Sequence, residues 1–483
     1  MKNQLIRDTM NNQNQQQSSS LPGYIASATP NPMDKRAPWY KNTAPTYAGI
    51  FLWFVFWQDA VNGGSLGGGL AQGLGMALFG IVLAALICHF LFYVVPGMFG
   101  MKTGLPLYIV GTSTFGAQGG FIMPGFLMGV LQFGWLGVNV YFSSLALAAV
   151  IPIPAKIIMI IWGVLAAFVG LKGIQYVARV ATYLPLIPLA ILLIMFVKTM
   201  SGIGSFDQNK LIEMHKVAMP DAKPALDSLG ILALALTYIV GFFATAGAAG
   251  VDFGLNSRDK KDVQWGGLIG IALAIIVTAG ISAMVVAGAM GSADLATKAA
   301  EACKGKDGWV LRSTNLIPVI LGENQGKWIM FLLALTAFPS ACFSSFIAAN
   351  SFKTTLPKVN PFVSVGIGAA VSIILALTGL AGKVVPVFVI IGASFGPICG
   401  AMMVDYLLAG GKWTGPRAGF NPAGWISWAF GFVVGILPNI GVAIPAAPVL
   451  AFIVGAVVYF LCAKAGLQSQ VLQLPDKLAQ ATK

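Results

Sequence analysis

Charge is what this sequence has least of. Only 9% of its 483 residues are Asp, Glu, Lys or Arg, against 57% hydrophobic. A soluble globular domain carries about 25% charged residues, so the composition excludes an ordinary water-soluble fold and points to a chain that crosses a bilayer many times. Histidine is scarcer still: His89 falls in an apolar run and His215 in a polar loop. Neither has ligand spacing to a cysteine, so no metal site is expected. Of the five cysteines, Cys88, Cys342, Cys399 and Cys462 lie in apolar runs and only Cys303 in a loop, which gives no disulfide framework. A glycine-rich phosphate loop is missing, which argues against ATP-driven work. No signal-peptide pattern opens the chain.

What the sequence has in quantity is long apolar runs. About twelve occupy residues 46–70, 73–99, 121–150, 155–171, 175–199, 228–250, 264–291, 326–350, 361–381, 384–408, 424–441 and 442–463. Each is near the ~20 residues that a bilayer requires, and they are called spans 1 to 12 below. Residues 1–45 are polar, low in complexity and then Pro-rich, and read as a disordered cytoplasmic tail; residues 464–483 read as a second tail. With the amino terminus inside, the cytoplasmic segments hold the larger share of the 29 Lys and Arg, as the positive-inside rule expects. The net charge of +13 then reflects topology. The expected partner is the cytoplasmic (inner or plasma) membrane, with both termini cytoplasmic, and nucleic acid is not expected. The outer loops 200–227 and 292–325 mix acids with bases and are expected to hold short amphipathic helices, Leu316 to Leu321 among them.

Two spans look broken. In span 1, Gln58, Asp59 and Asn62 lead into Gly63-Gly64-Ser65-Leu66-Gly67-Gly68-Gly69; span 6 carries Gly241, Gly247 and Gly250. Glycine weakens a helix by roughly 1 kcal/mol relative to Ala, and opened backbone in a membrane is tolerated only where it is buried or lines a cavity. The two spans are five apart, so the second unit enters the membrane from the opposite side. Interrupted spans at matching positions of inverted halves point to the central site of a secondary transporter. The alternative is that the glycines serve close helix packing, which is the reading preferred for Gly392, Gly396 and Gly400 in span 10.

Asp59 is the only one of the sixteen carboxylates well inside a span. A charge at membrane depth is costly unless hydrated, paired or liganded. In span 3, Gln132, Trp135 and Asn139 are three and four residues apart and share one helix face. Their carboxamides and indole suit a planar ring with polar edges, or equally bundle packing. Span 6 adds Phe242, Phe243 and Thr245, and a second aromatic there would close a sandwich with Trp135.

Leu131-Gln132-x-Gly134-Trp135-x-Gly137-Val138 resembles the third-span signature of cytosine permeases. Gly63 to Gly67, Ala246-Gly247 with Val251-Asp252-Phe253, Gly400 to Asp405-Tyr406-Leu407, and Pro38-Trp39-x-x-Asn42-x-Ala44-Pro45 are similar to other parts of the nucleobase–cation symporter family, in the same order over most of residues 40–460. The resemblance implies an all-α polytopic fold of the LeuT type: a first five-helix repeat over 46–199, a second, inverted one over 228–408, and two additional helices over 409–463. It implies import of a nucleobase or related nitrogen heterocycle with a cation, Na+ or H+, and no other cofactor. It places the ligand on Trp135 and Gln132, carries the span-6 aromatic to Phe243 and a span-1 aromatic to Phe56, and sets the sodium carbonyls near Leu52 and Val55. In span 8, Ser340 matches one hydroxyl position, with Thr336 one turn before it. Pro339 stands where the family has the other hydroxyl, and Ala341 and Cys342 replace the polar residues after it.

The binding residues expected are therefore Phe56, Gln58, Asp59, Gln132, Trp135, Asn139, Phe242 and Phe243. Leu52, Val55, Thr336, Ser340 and Asp59 are expected to serve the cation. Asp59 has three open roles: a proton site, a partner for a cationic or amino-bearing substrate, or a solvated vestibule residue. A membrane enzyme is not expected, because Asp59 has no His, Cys or Lys within a helical turn. A transporter-derived receptor without coupling is the remaining alternative. Asp252 with the loop Arg258 to Asp262 reads as a gate or helix cap, or else as a solvated turn, and Asp405 reads the same way.

Overall fold

The computed structural model describes residues 21–55, 57, 64–172, 177, 183–302, 304–305, 308–309, 313–475 and 478–479. Among them the only sheet is a hairpin of Lys304–Gly305 with Gly308–Trp309; everything else of regular structure is helical. Among the described residues, ten helices are long and apolar enough to cross a membrane. They are span 2 (Gly73–Thr103), span 3 (Phe121–Ala148), span 4 (Ala155–Lys172), span 5 (Leu186–Ser205), span 6 (Ser228–Ala248), span 7 (Lys260–Gly291), span 8 (Glu323–Lys353), span 10 (Val384–Leu408), span 11 (Pro422–Ile440) and span 12 (Ala447–Lys464). Span 9 is the shorter apolar helix Pro361–Leu377. In and before span 1, the described helical elements include a turn Thr43–Tyr47, a 3-10 stretch Ala48–Trp53 and a second 3-10 turn Gly68–Leu70.

The packing has the symmetry of a five-span repeat. Span 9 lies against span 3, and span 4 against span 8; adding five to 3 and 4, and removing five from 9 and 8, exchanges the two pairs. Likewise span 2 packs on span 6, and span 7 on the 3-10 part of span 1. Spans 3, 4, 8 and 9 thus form one group, spans 1, 2, 6 and 7 another, and spans 10 to 12 pack together beside span 6.

Span 6 differs from expectation. Its helix runs unbroken through Gly241 and Gly247 and is interrupted only at Ala249, before a short helix Gly250–Gly254. The glycines serve approach rather than opening. A Cβ on Gly241 would sit 2.7 Å from the Phe388 carbonyl oxygen of span 10, and one on Gly247 2.8 Å from Phe92 Cβ of span 2. Gly400 similarly seats the Phe452 carbonyl of span 12. Where a neighbour presses against the glycine, the lost helix propensity is offset by packing that no larger residue allows.

Residues 21–45 correct a second expectation. Their composition suggests part of a disordered tail, yet they fold onto the bundle. Tyr24 OH donates to the Ala117 carbonyl. Asn31 Nδ2 donates to Leu255 O at 3.1 Å and Asn256 Oδ1 at 2.9 Å, and Asn42 Nδ2 to Phe253 O at 2.9 Å. Ile25 and Leu21 are buried in the core, and these bonds to carbonyls of the bundle add to that burial. The loops 200–227 and 292–325 hold the expected helices: Gln208–Ala218, Ala293–Ala302 and Ser313–Leu321. The first covers the end of span 1, where Gly67 N–H donates to His215 Nδ1 at 3.1 Å and a φ of +72° admits only glycine without strain.

Asp405 is not a solvated turn. It is 2% exposed and accepts from Tyr459 OH at 2.8 Å, Ser113 Oγ at 2.7 Å and Thr114 Oγ1 at 3.2 Å, with Arg417 Nη2 3.6 Å away. Arg417 in turn donates to the Ser113 and Ser469 carbonyls. One carboxylate therefore ties span 10 to span 12, to the segment before span 3, and through Arg417 to the chain after span 12. Breaking a buried pair by removing one partner costs about 3–5 kcal/mol. Asp405→Ala is therefore expected to lower the detergent-solubilised melting temperature markedly, while Asp405→Asn, which keeps the acceptor, lowers it less. Equal melting of all three proteins would show that the cluster carries no stability.

Candidate functional site

Span 3 presents Gln132, Trp135 and Asn139 on one buried face, 8%, 6% and 7% exposed. The i+3, i+4 spacing on a regular helix puts them there. Trp135 Nε1 donates to Thr245 Oγ1 of span 6 at 3.3 Å, which fixes the indole toward the partner helix. Phe242 meets Trp135 edge-on, with centroids 5.3 Å apart and planes at 89°. Phe243, one residue on, points about 100° around the helix and packs on Tyr47 at 5.8 Å instead. The aromatic of span 6 beside Trp135 is thus Phe242, while Phe243, to which the resemblance carries the span-6 aromatic, faces Tyr47.

The third ring of the cluster is Trp53, which the sequence reading did not single out. Its centroid is 4.6 Å from both Trp135 and Phe242, at 78° and 54°. Phe388 of span 10 closes the far side, 5.6 Å from Trp135. The signal for Trp53 was present in the run Phe51-Leu-Trp-Phe-Val-Phe-Trp57, but four neighbouring aromatics and a 3-10 turn left its register undetermined. Phe56, Gln58 and Asp59 lie outside the described residues.

Polar capacity around the cluster is only partly used. Gln132 Nε2 donates to Met128 Sδ at 3.7 Å, a weak acceptor. Asn139 Nδ2 donates to the Trp135 carbonyl at 3.1 Å. Leu52 and Val55, expected to offer carbonyls to a cation, line a small cavity with Asn139, Leu333, Ala334 and Ala337. Thr336 Oγ1 donates to Leu333 O at 2.8 Å, within its own helix. Ser340 is half-buried and lies a turn further along span 8, whose helix continues through Pro339. Leu52 and Val55 thus meet the face of span 8 one turn before Ser340.

Comparison with known proteins places this geometry. A family model described as permease for cytosine/purines, uracil, thiamine, allantoin matches residues 30–462. The chain belongs to that family. The cytosine permease of Escherichia coli (strain K12) is 27% identical over 252 residues, covering 51% of this chain and 54% of that protein, so the chain spans about half the length of the curated relatives it matches. Among solved structures, the inward-facing conformation of Mhp1 superposes with a TM-score of 0.68 at 14% identity, covering 96% of this chain and 98% of Mhp1. Mhp1, titled a nucleobase-cation-symport-1 family transporter, also matches in a closed conformation with bromovinylhydantoin bound, with a TM-score of 0.63 at 14% identity, covering 96% of this chain and 99% of that one. At this identity the likeness establishes the fold.

At the end of the extension beyond span 6, Asp252 Oδ1 accepts from Leu107 N–H at 2.8 Å. It caps the short helix Leu107–Val110 from another segment, which selects the capping reading over a solvated turn. Burial raises its pKa from 3.8 to about 6, against the opposing bond from Leu107. A carboxyl with a raised pKa binds its proton more tightly in the folded state. Its stabilising contribution is complete below about 3.8 and is lost as pH rises through about 6. Thermal melts between pH 4 and pH 7 should therefore show the native protein losing stability relative to Asp252→Asn as pH increases. Parallel profiles would show that Asp252 is not the titrating group.

Proposed function

We propose that the protein is a secondary-active importer of a nucleobase or related small nitrogen heterocycle, driven by symport with a cation through alternating access. The observation that carries this reading is the cluster of Trp53, Trp135 and Phe242 beside the underused amides of Gln132 and Asn139. A flat heterocycle offers two π-faces and a hydrogen-bonding edge, and stacking on an aromatic side chain contributes about 1–3 kcal/mol per base. The edge-on packing of Trp53 on Trp135 leaves no slot between them, so ligand entry requires the Trp53 ring to swing aside. The span 1, 2, 6 and 7 group carries Trp53 and Phe242, and the span 3, 4, 8 and 9 group carries Trp135. A movement of one group against the other would therefore open and close the site. The coupling cation, H+ or Na+, would bias that equilibrium only by its differential affinity for the two states. Both termini would lie in the cytoplasm.

Two readouts test this. Trp135→Ala should abolish binding of cytosine, uracil, hydantoin and allantoin by the purified protein; unchanged affinity for a ring that the native protein binds would remove the stacking model. Native protein in proteoliposomes should accumulate the bound ring under an imposed proton or sodium gradient. Binding without accumulation would support the alternative of a transporter-derived receptor. If Asp59 carries the coupled proton, Asp59→Asn retains exchange and loses pH-driven accumulation. If Asp59 instead pairs with an amino-bearing substrate, exchange itself is lost.

A further inference from the structure

The polar face of span 3 continues past the aromatic cluster. Ser143 is one helical turn beyond Asn139, is 3% exposed, and its Oγ has no hydrogen-bond partner. A helical hydroxyl ordinarily satisfies itself on the carbonyl three or four residues back. Thr278, Ser282 and Thr336 do so at 2.7, 2.6 and 2.8 Å. Ser144, next in sequence, also lacks a partner, but it is Ser143 that lines a cavity. Ser143 and Asn139 line one side of the partly open cavity of about 50 Å³ described above, with Leu52, Trp53 and Val55 of span 1 and Leu333, Ala334 and Ala337 of span 8 on the others.

The size of this space limits its occupant. It exceeds the ~10–15 Å³ that one water needs and falls well short of the ~150 Å³ cavity that takes up a benzene ring. Apart from Ser143, Asn139 and the indole of Trp53 its side-chain walls are apolar, so the span 3 side offers an occupant a hydroxyl that donates and accepts and a carboxamide oxygen that accepts. The cavity shares Trp53 and Asn139 with the aromatic cluster. It is therefore the continuation of the ring site along span 3 and not a separate void.

We propose that this cavity receives a small hydrogen-bonding arm carried by the heterocycle, such as a ureido or hydroxymethyl group. Ser143, with Asn139, then selects arm-bearing rings over bare ones. The inference rests on the ring-binding reading above and adds to it the substituent and the residue that reads it. Neither Ser143 nor a substituent preference follows from the motif around Trp135.

Two probe pairs test it by calorimetric titration of the purified full-length protein: hydantoin against allantoin, its ureido derivative, and uracil against 5-hydroxymethyluracil. In at least one pair the arm-bearing member should bind about tenfold tighter, the equivalent of one good hydrogen bond. Ser143→Ala should bring that ratio close to one, and Ser143→Leu, which fills the cavity, should invert it. Equal affinities within both pairs would overturn the proposal and leave ring binding intact. A preference that survives Ser143→Ala would also overturn it, because a water or another group would then hold the arm. If none of the four compounds binds, the ring-binding reading falls and this inference falls with it.

Discussion

The approach of span 6 to its neighbours is the constraint on which the site depends. Gly241 admits the Phe388 carbonyl and Gly247 admits Phe92 at distances that no side chain would tolerate. These contacts fix both the rotation and the depth of span 6. Phe242 is thereby directed at Trp135, Thr245 receives the indole N–H, and Phe243 is turned to Tyr47. A helix that opened at these glycines would lose that register. The same residues that suggest a broken helix in the sequence are what hold it straight against spans 2 and 10.

That explains which parts of the sequence were legible. Apolar run length gave the spans, because a bilayer imposes it on every crossing. The odd offset between the two glycine-rich spans pointed to inversion, and packing of spans 3 with 9 and 4 with 8 agrees with it. The faces of regular helices were also readable: Gln132, Trp135 and Asn139 lie together as their spacing requires. Glycine was not readable in the same way, since its low helix propensity serves opening and close approach alike, and only the neighbour decides. Nor was the register of a 3-10 turn, which hid Trp53. Asp405 and residues 21–45 were misjudged for a common reason. Key polar groups there are satisfied by partners far away in sequence, such as Tyr459 for Asp405 and Leu255 for Asn31.

Buried polarity is distributed unevenly, and the pattern is informative. Around Asp405 the carboxylate has three hydroxyl donors and a guanidinium, and Arg417 is itself bonded to two carbonyls. Such a saturated network rigidifies, and it sits where spans 10 and 12 join the segment leading to span 3. Along the span 3 face the opposite holds. Gln132 has a thioether for an acceptor, and Ser143 has nothing. A membrane protein that spends so many bonds on one cluster and so few on another leaves free energy available in the second for a ligand to recover.

The two helix groups give that recovery a mechanical consequence. Trp53 and Phe242 belong to one group and Trp135, Asn139 and Ser143 to the other, so a bound ring with an arm would touch both at once. Contacts confined to one group cannot favour either arrangement of the two, because they are the same in each. Contacts that bridge them differ between arrangements by as much as the bridge is worth. In the proposed mechanism, hydrogen-bonding capacity left on the span 3 side, facing Trp53 and Phe242 on the other, would let binding energy bias the two groups against each other. A ligand that stacked on Trp135 alone, without engaging Trp53 or Phe242, would bind without altering the balance between the two groups.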